Sequence, residues 1–67
     1  MWEVRFPNVQ VQLTGMDGNA FAVMGRVVAA LRKDGQPDSV VSEFLAEAQS
    51  GDYDNVLVTC MKWVDVS

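Results

Sequence analysis

Hydrophobic residues change their spacing once near the start of the chain, and this change marks the first two predicted elements. In residues 9–13, valine and leucine alternate with glutamine, which predicts a β-strand with one buried face. The next residues are rich in Gly, Asp and Asn, as is typical of a turn, and Asp17 or Asn19 can cap a helix. Large apolar residues then recur at helical spacing, at Phe21, Met24, Val28 and Leu31. A strand followed by an amphipathic helix is therefore predicted.

The second helix is predicted from a stop signal and a start signal that lie close together. Asp34 and Gly35 end the first helix at about Lys33, and Asp38 or Ser39 can cap the next one. Apolar residues then repeat at helical intervals, at Val40, Val41, Phe44, Leu45 and Ala48. So short a connector predicts two antiparallel neighbouring helices, which form a helical hairpin.

The last segment allows two interpretations. A helical face is formed by Tyr53, Leu57, Cys60, Met61 and Val64. Alternation is formed by Val56, Val58, Cys60, Val64 and Val66. We favour a short helix, capped by Asp52 or Asp54 and followed by an extended stretch over residues 63–66, because the first strand needs a partner for its main chain. The alternative is one long strand over residues 56–66.

The predicted fold is a small α+β domain that spans residues 1–67. Its order is β-α-α-(α)-β, with the N- and C-terminal strands paired and the helical hairpin packed on them. A domain of 67 residues buries only about 60% of the surface that its unfolded chain exposes. Cys60 is the sole cysteine and histidine is absent, so neither an internal disulfide nor a zinc site is expected. Because 49% of the residues are hydrophobic, we expect a homo-oligomer.

Charge and hydropathy narrow the classes of partner. The formal net charge is −4, and the five cations are spread along the chain, which argues against binding to duplex nucleic acid. No apolar run reaches the length of a membrane span, and the N-terminus lacks the pattern of a signal peptide. We therefore expect a cytoplasmic protein without a membrane partner.

Small residues form a stripe on the first predicted helix, at Ala22, Gly25 and Ala29. Such a stripe lets another backbone approach closely, either the second helix of the same chain or a second subunit. We favour ordinary packing on the second helix and keep self-association as the alternative. Trp2 is a further candidate for the subunit interface, because tryptophan is enriched at interface hot spots.

The residues give little support for catalysis. No histidine is present to activate Cys60, which lies on an apolar stripe and is interpreted as core. The Gly-rich turn over residues 15–19 has no lysine and no phosphate-loop spacing, and the Asp52, Asp54 and Asn55 group lacks the other ligands of a calcium loop. We therefore expect no catalytic residue, no metal site and no cofactor, and interpret the chain as a protein that is not an enzyme.

Eight ordered segments carry a resemblance to a known family. They are FPNV at 6–9, VQLTG at 11–15, DGNAF at 17–21, GRV at 25–27, ALR at 30–32, EFLAEA at 43–48, SGDYD at 50–54 and CMKWV at 60–64. With these segments the chain resembles a family of small uncharacterised proteins encoded by bacteriophages, prophages and plasmids. The resemblance implies a setting in a bacterial host and no particular reaction. Small phage proteins without catalytic residues often inhibit host defences.

The resulting hypothesis is a homo-oligomeric inhibitor of host defence that sequesters a small anionic nucleotide signal. The cations Arg26, Arg32, Lys33 and Lys62 are expected to supply charge, and Tyr53 or Trp63 to stack on a base. Trp2 is a third stacking candidate. The alternative is an inhibitor whose acidic surface blocks a host protein.

Overall fold

The described part of the chain forms three helices and two strands. The structure, a computed structural model, describes residues 3–13 and 19–67. The elements are β1 (Phe6–Val11), α1 (Ala20–Lys33), α2 (Asp38–Ala48), α3 (Tyr53–Trp63) and β2 (Val64–Val66). This confirms a small α+β domain with a third helix. The alternative of one long strand over residues 56–66 is wrong, since α3 occupies most of that range.

The two strands pair side by side in a parallel sheet, which confirms the predicted contact between the terminal strands. Phe6 lies opposite Val64 and Val11 opposite Val66, with an irregularity between Phe6 and Gln10. Pro7 falls in this irregular stretch, where its lack of an N–H removes one ladder bond. β1 thus begins and ends earlier than the predicted strand over residues 9–13, because Phe6 already pairs with Val64, the first residue of β2.

Local cap chemistry sets both ends of α1. The side chain of Asn19 accepts hydrogen bonds from the amides of Phe21 at 2.9 Å and Ala22 at 3.4 Å. Asp17, the other predicted cap, lies outside the described residues. At the far end Gly35 has a φ of 90°, and its amide donates to the Arg32 carbonyl. Only glycine adopts this left-handed conformation readily, so the predicted stop at Asp34 and Gly35 is confirmed.

The other two helices begin in different ways. α3 is capped as predicted, since Asp52 accepts from the amide of Asn55 at 3.0 Å. α2 has no side-chain cap, so the prediction of Asp38 or Ser39 is wrong. Pro37 occupies the cap position in an extended conformation, and Asp38 is already in the first turn. There its carboxylate favours the helix through the dipole rather than through a cap bond.

The core lies between the sheet and the inner sides of the helices, and it differs in part from the predicted faces. Its members are Val9, Val11, Val23, Met24, Val27, Leu31, Val41, Phe44, Ala48, Val56, Cys60, Trp63 and Val64. Phe21 is 78% exposed, and Tyr53 and Met61 are also exposed. α3 buries Trp63 and leaves Met61 exposed, because burial of the larger apolar area of Trp63 is more favourable.

Candidate functional site

The outer face of α1 concentrates positive charge in an acidic protein. α1 carries Arg26, Arg32 and Lys33, all exposed, and no acidic residue. Its charge of +3, against −4 for the whole chain, leaves −7 for the rest. Two of the cations lie in the last turn, where the negative end of the helix dipole favours them. α1 is thus the most positively charged element of the described fold.

Two of these three cations have no counter-ion among the described residues. Arg32 lies 3.4 Å from the carboxylate of Asp38, a contact in which both side chains are largely exposed. Exposed ion pairs of this kind contribute little and are screened by salt. Arg26 and Lys33 form no salt bridge within the described ranges. Their charge is therefore available to an external ligand.

Lys33 lies at the mouth of an open cleft between α1 and β1. The cleft has a volume of about 270 Å³ and is lined by Asn8, Val9, Gln10, Ala30, Lys33 and Asp34. The side-chain amides of Asn8 and Gln10 can donate hydrogen bonds to a ligand in the cleft that Lys33 also lines. Its volume lies just below the usual range for small-molecule sites.

The stripe of small residues lies on the outside of α1, next to these cations. Ala22, Gly25 and Ala29 are all exposed, and a Cβ atom built on Gly25 would have no neighbour within 4 Å. The favoured prediction, packing on the second helix, is therefore wrong. The larger residues Val23 and Val27 occupy the inner side instead, because they bury more apolar area there. Self-association through the stripe stays a prediction.

The remaining candidate residues do not join this surface. Lys62 is exposed on α3, near its C-terminal end. Tyr53 lies in the first turn of α3 and lines a different cleft of about 290 Å³, together with Phe21 and Asp52. That cleft holds no cation among its lining residues, so it does not suit an anion. Trp2 lies outside the described residues.

Trp63 is an internal packing residue. Only 2% of it is exposed, and Phe44 meets it edge to face with a 5.5 Å separation of ring centroids. The guanidinium of Arg5 covers the ring at 4.2 Å from the centroid, and the indole N–H donates to a Glu47 carboxylate oxygen at 3.2 Å. No ring face remains to stack on a base. The interpretation of Trp63 as a ligand residue is therefore wrong for this chain.

Arg5 connects this indole to α2. Its two terminal nitrogens donate to the two carboxylate oxygens of Glu43, at 2.8 and 3.2 Å. This bidentate hydrogen bonding lowers the pKa of Glu43 and raises the pKa of Arg5. Arg5, Glu43, Glu47 and Trp63 together are called the Arg5 cluster below. The sequence gives no sign of the cluster, because its members are far apart along the chain.

Two smaller expectations concern Cys60 and Asn55. Burial of the Cys60 side chain raises the pKa of its thiol to about 11, which keeps the thiol protonated and supports its interpretation as core. Asn55 donates from its side-chain amide to the carbonyls of Glu47 at 2.9 Å and Ala48 at 3.2 Å. It thereby satisfies the end of α2, a role that the sequence analysis missed.

Among the described residues, no three potential ligands from His, Cys, Asp and Glu come together as a metal site would require. No helix in the described ranges has the length and apolar character needed to cross a membrane. Comparisons with protein-family models, with curated proteins and with solved structures found no match.

Proposed function

We propose that this chain is a non-enzymatic binding protein of a mobile genetic element, which acts as a homo-oligomer and sequesters a small anionic nucleotide signal of its bacterial host. One observation carries the proposal: α1 presents +3 of charge on an exposed face while the rest of the chain carries −7. A surface of this kind attracts small anions, whereas the acidic remainder repels a long polyanion.

The geometry of the face favours a ligand with more than one anionic group. Arg26 and Lys33 are seven residues apart on one helix, which separates them by about 10 Å along the axis. The two phosphates of a dinucleotide, which a sugar separates, match this spacing better than a single phosphate or the adjacent phosphates of one nucleotide. Because the cleft beside Lys33 is small and open, a second subunit is expected to complete the pocket.

Isothermal titration against cyclic mononucleotides, cyclic dinucleotides and NAD-derived signals tests the proposal. We expect one ligand class to bind and expect Arg26→Glu and Lys33→Glu to abolish binding, since loss of one charged hydrogen bond alone weakens binding by about 1.5 to 3 kcal/mol. Lys62→Glu makes the same charge change on α3 and is the matched control, which should retain binding. No heat with any ligand, or undiminished binding by both α1 variants, would contradict the proposal.

The acidic residues outside α1 favour a second candidate function. All nine acidic residues lie outside α1, and α2 alone contributes Asp38, Glu43 and Glu47. An acidic surface of this kind can cover a basic groove on a host enzyme. Co-purification of a host enzyme that is released by a change at the exposed Asp54, Asp54→Lys, and not by Lys33→Glu, would favour this alternative.

A further inference from the structure

The main chain of β1 is engaged along one edge. The Val11 carbonyl accepts from the Ser67 amide at 3.0 Å, and the Leu13 amide donates to the Ser67 carbonyl at 2.9 Å. Since peptide groups along a strand point alternately to its two sides, those of Gln10 and Gln12 point away from β2. No third strand lies beside β1 in the part of the chain that the structure describes. This edge therefore offers hydrogen-bond donors and acceptors to another strand.

Beyond Pro7 and the irregular stretch that contains it, the edge of β1 also lacks the features that usually prevent strand pairing. Natural edge strands are short, charged, interrupted by proline or covered. β2 follows this rule, since it has three residues and carries the exposed Asp65. β1 has six residues, and the stretch from 8 to 12 carries neither charge nor proline. Of the two edges of the sheet, β1 is thus the one suited to association.

A second copy of this chain fits the edge better than a charged peptide. A two-fold axis beside Gln10 would place β1 antiparallel to itself, so that the peptide group of Gln10 meets that of Gln10 in the second copy and the group of Gln12 meets that of Asn8. The uncharged side chains cause no repulsion there, and the sheet would grow to four strands, a size at which sheets are independently stable. The adjoining cleft contributes one cation and one anion per copy, Lys33 and Asp34, which are self-complementary about a two-fold axis.

We propose that two copies of this chain join edge to edge through antiparallel β1 strands, with Gln10 next to the two-fold axis. This proposal deepens the self-association part of the proposed function and is independent of its ligand. It also places the Lys33 cleft of each copy beside the subunit boundary, where a second subunit can complete it.

A charge-pairing experiment tests the proposal. Gln10→Glu and Gln10→Lys each place like charges opposite one another, so sedimentation velocity should show dimer dissociation constants at least about tenfold higher than for the unaltered chain. Mixing the two variants should restore a heterodimer. Ser42→Glu and Ser42→Lys make the same changes on the exposed side of α2 and should dimerise normally. Unchanged dimerisation of both Gln10 variants would overturn the proposal.

Hydrogen exchange on the unaltered chain provides a second measurement that needs no variant. The amides of Gln10 and Gln12, which point away from β2, should become better protected as protein concentration rises through the dimerisation range, at least about tenfold for Gln10. A dimer whose Gln10 amide exchanges at one rate at all concentrations overturns edge pairing but leaves the proposed function standing. A monomer at all concentrations overturns both. If the unaltered chain forms the dimer but binds no nucleotide, only the proposed ligand is overturned.

Discussion

The Arg5 cluster and the outer face of α1 use the same kind of side chain in opposite ways. In the cluster, Arg5 has a bidentate carboxylate partner and an indole beneath it. On α1, Arg26 and Lys33 have no salt-bridge partner among the described residues, although the chain has nine carboxylates. A cation that already has a carboxylate and an aromatic ring as partners within the chain stabilises the fold. Cations that an acidic chain leaves unpaired on one face are the better candidates for binding.

The largest expected difference between the two regions is in stability. Trp63→Ala should lower the free energy of unfolding by about 3 to 5 kcal/mol, because it removes a fully buried aromatic side chain. Arg26→Ala should change it by less than about 0.5 kcal/mol, as is usual for exposed positions. Urea unfolding of both variants at one protein concentration measures the two values. Equal losses would mean that the cations of α1 contribute as much to the stability of the fold as the Arg5 cluster does.

Two glycines extend the comparison to the packing of the main chain. A Cβ atom on Gly51 would lie 2.9 Å from the Cβ of Asn55, so Gly51→Ala should destabilise the domain by about 1 to 3 kcal/mol. Gly25 has open space, and Gly25→Ala should stabilise α1 by about 1 kcal/mol through its higher helix propensity. Thermal unfolding should show opposite shifts. A lower melting temperature for Gly25→Ala would show that another backbone covers Gly25 in solution.

The ion pair of the Arg5 cluster should make a contribution to stability that depends on pH. Because its folded pKa is lowered, Glu43 stabilises the domain above its ordinary pKa of 4.5 and loses this effect as the pH falls through the folded value. The difference in stability between the unaltered chain and Glu43→Gln should therefore be full at pH 7 and shrink below about pH 4.5. Arg5→Gln should reproduce this pH dependence, and the double variant should add little. A difference that stays constant down to pH 2 would contradict the ion pair.

The smallest expected effect concerns the one α1 cation that has a partner. Asp38→Ala should reduce stability by less than about 1 kcal/mol, because it removes an exposed ion pair and a favourable charge in the first turn of α2. It should also raise the affinity for an anionic nucleotide slightly, since it frees Arg32. Titration of this variant beside Ser39→Ala separates the charge effect from a general effect on the start of the helix.

The features that the sequence predicts well are those with local causes. Asn19, Gly35 and Asp52 act on main-chain groups two or three residues away, so their roles follow from residue type and position. Pairing of the terminal strands followed from the need of one strand for a partner. The start of α2 was missed because Pro37 supplies an extended entry without a cap bond, which side-chain preferences do not reveal.

The features that the sequence does not predict depend on contacts between distant segments. Trp63 was expected to face a ligand, but Arg5 and Phe44, which lie 58 and 19 residues earlier in the chain, cover it. The inward side of α1 was predicted wrongly because both the valines and the larger apolar residues of this helix are suited to burial. The position of the sheet determines which of them are buried. Nothing local distinguishes Arg5, which is paired, from Arg26, which has no salt bridge among the described residues.

The parallel pairing of β1 with β2 determines when the sheet can form during synthesis. The three helices form from neighbouring residues, but β1 must wait for a strand that a ribosome makes almost a whole domain later. At about 5 to 20 residues per second, this delay lasts seconds. During it β1 lacks its partner strand, so both of its edges are open. The native sheet therefore forms only after the last residues of the domain have been made.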